Sequence, residues 1–249
     1  MISPLRFIFL LFAFVIASGW LIPSNIGLYL SLAINQVIII AGLPILIVKI
    51  AGKSLGFNLK TPPPMFMAAA FFSALAIAVI SGYLIAATEY ITNVPLAISA
   101  ATRKIMEEPT IREFLLQVVF IALLPSLCEE IFFRGICQTA ISARYGNRLG
   151  IIITACFFTV VHWDVWYAHI YFMLGCFSGW IYMVSGTLWL PIICHFVNNF
   201  LAITLDYVGG RLLTNIPVLD AVVVAICAVV IFLTMIRQLI LLARSFKVP

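Results

Sequence analysis

The stretch Ile121-Ala-Leu-Leu-Pro-Ser-Leu-Cys-Glu129-Glu130-Ile-Phe-Phe-Arg134-Gly135 decides how this chain is read. Two adjacent carboxylates, and a guanidinium four residues after the second, sit in an otherwise almost wholly apolar run. Neither packing nor solubility calls for them there. At bilayer depth each such charge costs about 2.5–3.5 kcal/mol on insertion scales, so an intramembrane ionisable group marks a functional site by default. Whether the run lies in a membrane is therefore the first matter.

The composition answers it. The 249 residues are 64% hydrophobic and 9% charged, with mean hydropathy +1.19. Soluble domains carry about 25% charged residues. So few charges cannot cover a water-exposed surface. The expected fold is all-α: a polytopic transmembrane helical bundle forming a single integral membrane domain over residues 1–249. The net charge of +5 is dispersed along the chain. That excludes a nucleic-acid partner and reads as a topology signal. The six cysteines lie in apolar segments and read as small buried hydrophobes, not as a disulfide framework.

Working outward, eight spans emerge at about 5–22, 26–48, 64–87, 111–143, 149–163, 168–184, 187–206 and 218–242. The N-terminal segment has a weak signal-peptide character but no convincing cleavage site, and it reads as the first span. The fourth segment exceeds one crossing and contains Pro125, which predicts a kink. The fifth is short, as for a helix ending within a cavity. The Lys49–Pro64 connection, with Lys49, Lys53, Lys60 and three successive prolines, is a loop. The Thr88–Thr110 connection has the mixed charge of an interfacial helix. The positive-inside rule places the Lys49–Lys60 loop, the Arg144–Arg148 turn and the tail with Arg244 and Lys247 in the cytoplasm, leaving Arg211 outside. Eight spans then put both termini in the cytoplasm of a cell (inner) membrane.

On this topology, at about 1.5 Å per helical residue, Glu130, His162, His195 and Asn199 reach overlapping depths near the bilayer midplane. Two of the three histidines meet the glutamates there. Glu130 and Arg134, four apart with the acid first, suit an ion pair. That leaves Glu129 free to face a cavity. His195 and Asn199 share one helix face, and Asn198 points elsewhere. A buried carboxylate beside an imidazole can take a proton from water. A His and an Asn facing it can donate hydrogen bonds to a developing oxyanion. The set suits hydrolysis of an amide bond. Ser126 has no partner for a nucleophile's role, and Cys194 diverges from His195.

These residues resemble the CPBP family, which comprises the type II CAAX prenyl endopeptidases and the related bacteriocin-processing (Abi) membrane proteases. Glu129-Glu130-Ile-Phe-Phe-Arg134, Phe158-Thr-Val-Val-His162 and His195-Phe-Val-Asn-Asn199 match its three motifs in order, and the Gly175…Gly179…Gly186…Pro191 lead-in is similar too. The resemblance covers about residues 118–203, the expected catalytic core. It implies an intramembrane endopeptidase acting on a membrane-associated protein or peptide, with a lipid-modified tail and a bacteriocin precursor both within its range. It implies that Glu129 and His162 activate water, that His195 and Asn199 form the oxyanion site, and that Glu130 and Arg134 support the architecture. A divalent metal such as zinc, held by Glu129, His162 and His195 with water fourth, is the alternative. A metal-independent glutamate mechanism is favoured, because the spacing is not the compact His-Glu-x-x-His helix motif.

Plainer readings stand beside these. The Glu-Glu-Arg cluster suits a helix end at the interface. His162 suits an aromatic belt with Trp163, Trp166 and Tyr167. His195 and Asn199 suit an interhelical hydrogen-bonding pair. His169 reads as structural, Asp164 as either an imidazole neighbour or a loop residue, and Gly175 with Gly179 as close helix packing. Two other functions use the same residues: a non-catalytic membrane protein that binds peptides, as an immunity protein or scaffold, and a proton-coupled transporter. The absence of an internal repeat weighs against the transporter.

Overall fold

The computed structural model describes residues 4–19, 22, 26–52, 56–92, 94, 110–208 and 218–245. Lys53, most of the Thr88–Thr110 connection with its expected interfacial helix, Arg211 and Lys247 lie outside them. Among the described residues there is no strand, and eight helices follow one another. They are α1 Pro4–Gly19, α2 Leu28–Ile50, α3 Pro64–Thr92, α4 Ile111–Tyr145, α5 Asn147–Val161, α6 Ala168–Ser185, α7 Trp189–Val208 and α8 Val218–Ser245. They follow the expected spans closely. Five (α2, α3, α4, α6 and α8) are long and apolar enough to cross a bilayer, while α1, α5 and α7 carry shorter apolar cores. The chain is an integral membrane protein.

Local chemistry explains the boundaries. Thr110 caps α4 with a reciprocal box: its hydroxyl accepts from the Glu113 N–H at 3.3 Å, and its own N–H donates to the Glu113 carboxylate at 2.7 Å. At about 1.5 Å per residue the 35-residue α4 is about 52 Å long, more than one crossing needs. It ends at Gly146, whose φ of 84° favours glycine.

Pro125 does not end α4. The backbone widens to π geometry over Val118–Leu123, just before the proline, and again over Ile131–Gln138. A π segment over Ile34–Gly42 precedes Pro44 in α2 in the same way. A proline ring clashes with the carbonyl four residues earlier, and a wider turn relieves that clash without breaking the helix.

Two apolar clusters organise the packing. One joins α1, α2, α4 and α5 through Leu11, Phe12, Ile39, Phe132, Phe133 and Phe158. The other joins α3, α6, α7 and α8 through Phe66, Ala70, Ile77, Ile181, Leu190 and Leu239. Helix α8 turns Val222, Val223, Ile226, Val230 and Leu233 outward, an apolar face suited to acyl chains. Gly175 brings α6 against α5, where an added Cβ would meet the Ala155 Cα at 3.0 Å. Gly179 gives the same closeness to Gln138 of α4. The small-residue pattern is thus packing within the bundle.

The connections sort to two ends. Between α2 and α3 the extended backbone reaches the α6–α7 turn: the Asn58 amide donates to the Gly186 carbonyl, the Leu188 N–H to the Asn58 carbonyl and the Trp189 indole to the Leu59 carbonyl. At the opposite end Tyr167 donates to Glu89, Thr88 bonds His169, and Asp164 accepts from the N–H groups of Trp166 and Tyr167. His169 and Asp164 are therefore fixed by local structure. The six cysteines are free. Cys128, Cys137 and Cys194 are buried as expected, whereas Cys156 and Cys227 lie exposed on the outer faces of α5 and α8. A small thiol is apolar enough for a surface that meets lipid.

Candidate active site

The polar residues meet where the two apolar clusters face each other. From the first come Glu130 and Arg134, both essentially without solvent access. One turn of α4 separates them, and Arg134 Nη1 donates to Glu130 Oε1 at 2.9 Å. The guanidinium then bridges to α6, with Nη2 donating to the Gly175 carbonyl at 3.1 Å and the plane lying 5.0 Å from the Phe158 ring centroid. The glycine that lets α6 approach thereby also exposes an acceptor for Arg134.

Glu130 holds more than the arginine. His195 Nδ1 lies 2.9 Å from the same Oε1, and the Ser178 hydroxyl donates to Oε2 at 3.2 Å. One carboxylate thus ties α4 to α6 and α7. Desolvated ions persist only when paired and hydrogen-bonded, and here both oxygens are engaged. The expected Glu130–Arg134 pair is present, and it also anchors a histidine.

His162 follows the last turn of the short α5. Its Nδ1 lies 2.7 Å from the Phe158 carbonyl, and its ring stacks on Tyr171 with centroids 4.0 Å apart. A carbonyl only accepts, so Nδ1 carries the hydrogen and Nε2 presents a lone pair. Likewise, the Glu130 carboxylate accepts, so His195 Nδ1 carries the hydrogen of that bond. The two rings thus reach the cavity with their Nε2 atoms unbonded to protein. That cavity, about 470 Å³ including its opening, is lined by Glu130, Arg134, His162, His195 and Asn199 among others.

Asn199 has a second attachment. Its amide donates to the Ile121 carbonyl at 3.2 Å. Ile121 stands four residues before Pro125, which has no N–H to give it. Asn199 thereby ties α7 to the π segment of α4 just before the proline and keeps one amide hydrogen unused. Asn198, three residues from His195, lines the cavity and donates to Asn199 Oδ1 at 3.3 Å, rather than pointing elsewhere. The helical i, i+3 neighbourhood places it there.

Glu129 is placed differently from the other five expected site residues. It is 8% exposed, does not line the cavity, and faces α2, where Gln36 Nε2 donates to its Oε1 at 2.9 Å. Its Oε2 is buried and meets no protein donor. Its charge is nonetheless within electrostatic reach of His162 and Arg134. Among the described residues no three His, Cys, Asp or Glu side chains gather as a metal site. Glu129, His162 and His195 are accordingly not gathered as one, with Glu129 Oε1 engaged by Gln36.

Gln36, Tyr171 and Ser178 were not singled out in the sequence. The Asn35-Gln36 amide pair inside an apolar span was the signal available for the first. Ser178 stands three residues from Gly175, on the α6 face that meets Arg134.

No curated protein and no solved structure matches this chain. The family model described as type II CAAX prenyl endopeptidase Rce1-like matches residues 110–201, from the cap of α4 into α7. That stretch contains the two glutamates, Arg134, both cavity histidines and Asn199. Residues 110–201 are thus similar to the Rce1-like type II CAAX prenyl endopeptidases, consistent with the CPBP family.

Proposed function

We propose that the protein is an intramembrane endopeptidase that hydrolyses a peptide bond of a membrane-associated protein or peptide with water activated by Glu129 and His162. The observation that carries this reading is the junction of Glu130, Arg134 and His195 inside an apolar bundle, with His162 lining the same cavity. Such a desolvated constellation serves chemistry better than stability, since a buried ion pair is weak evidence for stability.

In this mechanism His162 Nε2, its other nitrogen occupied by the Phe158 carbonyl, and Glu129 Oε2 take a proton from water. The resulting hydroxide adds to the scissile carbonyl carbon. The oxyanion accepts hydrogen bonds from the spare Asn199 amide hydrogen and from His195 Nε2. In that step both His195 ring nitrogens carry hydrogen, Nδ1 on the Glu130 carboxylate and Nε2 on the oxyanion. The proton taken from water then passes to the departing amine nitrogen as the C–N bond breaks. Protein groups supply each role in this mechanism.

The bilayer is the other partner. The substrate is drawn from tails bearing a lipid-modified cysteine, as the name of the matching family suggests, and from bacteriocin precursors. The basic residues of the α2–α3 and α4–α5 connections support a topology with these two connections, the α6–α7 turn and both termini in the cytoplasm. A fluorescent protein fused after the C-terminus should light only on that side, and a dark fusion contradicts the assignment.

The test of function is cleavage in proteoliposomes of membrane-anchored peptides, some with a farnesylated cysteine tail and some with a bacteriocin leader. The wild-type protein should cleave at least one, and His162→Ala should insert normally and cleave none. Full activity of His162→Ala contradicts the reading.

A further inference from the structure

We propose that Gln36 of α2 is a positioning residue for the Glu129 carboxylate, fixing Oε1 and leaving Oε2 as the oxygen that works on water; this rests on the glutamate mechanism above. Gln36 lies far outside residues 110–201. It comes from the other end of the chain, yet it is buried and donates to Glu129 Oε1 at 2.9 Å.

Three observations support a role beyond filling space. First, a buried amide in an apolar helix costs free energy unless bonded, so packing alone favours an aliphatic residue at 36. Its neighbours Ile39 and Ile40, packed with Cys128 and Phe132, show what the same surface otherwise uses. Second, the bond divides the carboxylate. Oε1 is occupied, whereas Oε2 is buried without a protein donor. Third, a glutamate's terminal torsion is broad and roughly two-fold. Without a donor on one oxygen, the carboxylate samples orientations in which neither oxygen is aligned. A misplacement of about 1 Å costs on the order of 100-fold in rate.

The location of Gln36 within the π segment Ile34–Gly42 explains how α2 delivers it. The wider turn ahead of Pro44 alters which face of α2 meets the Leu124–Glu130 turn of α4. Helix α2 thereby contributes to the site without supplying a reacting atom.

The test uses the full chain in proteoliposomes, with whichever peptide of the panel the wild-type protein cleaves fastest. Gln36→Met keeps the length and removes the donor. It should lower kcat by about 10- to 100-fold, with KM within about twofold and the thermal unfolding midpoint close to wild type. Gln36→Asn keeps the amide one carbon shorter and should give an intermediate kcat at unchanged KM. If Gln36→Met does not insert, Gln36→Asn alone decides, and wild-type kcat in it overturns the proposal. So does wild-type kcat in Gln36→Met, or a joint loss of kcat, KM and thermal stability, which would mark a packing role. Glu129→Gln is measured alongside. If it is active, the glutamate mechanism fails and this proposal with it. If it is inactive while Gln36→Met is fully active, this proposal alone fails.

Discussion

Glu130 Oε1 lies 2.9 Å from Arg134 Nη1 and 2.9 Å from His195 Nδ1, so one carboxylate oxygen both neutralises a buried cation and orients a cavity histidine. Glu130→Gln should therefore do two kinds of damage. Removing one partner of a buried pair leaves the other uncompensated and costs about 3–5 kcal/mol. Thermal unfolding in detergent should show a much lower midpoint, and cleavage should fall as well. Glu129→Gln should leave the midpoint nearly unchanged. Equal midpoints for the two variants would contradict the division of roles.

The Asn199 amide donates to the Ile121 carbonyl, four residues before Pro125, which has no N–H to donate. Asn199→Ala should cost about 1 kcal/mol, the usual net worth of a hydrogen bond. Pro125→Ala supplies an N–H to the same carbonyl, so the stability cost of Asn199→Ala should shrink in that background. Cleavage should stay lost, because the oxyanion donor is still missing. A double variant that regains cleavage would make Asn199 a structural clip alone.

The long apolar spans and the Glu130–Arg134 pair were legible in the sequence, because helical spacing within one element fixes which side chains meet. His195 beside Asn199 was legible for the same reason. What the sequence did not disclose depends on contacts between elements. Gln36 lies 93 residues from Glu129, and no local periodicity relates them. Ser178 reaches Glu130 only because Gly175 lets α6 close on its neighbours. The bond from Gln36 to Glu129, outside the cavity lining, follows from α2 packing on α4, which a single-helix argument leaves undetermined. Pro125 was readable as a perturbation. That it produces a wider turn and a carbonyl met by Asn199, rather than a helix end, depends on α7 being next to it.

Protein side chains fill each catalytic role in this account. Enzyme treated with a strong chelator and then dialysed should cleave within about twofold of its untreated rate. A loss restored by zinc would show that Glu129 swings into the cavity to join His162 and His195 around a metal, and would replace the glutamate mechanism.

The central claim is that Glu129 takes the proton from the attacking water. Its most direct test is the single-turnover cleavage rate of Glu129→Gln in proteoliposomes, set against wild type with matched insertion and thermal unfolding. Removing a general base costs on the order of 100- to 10,000-fold, so the account predicts a loss in that range with the fold intact. A Glu129→Gln protein that cleaves within a fewfold of the wild-type rate would contradict it.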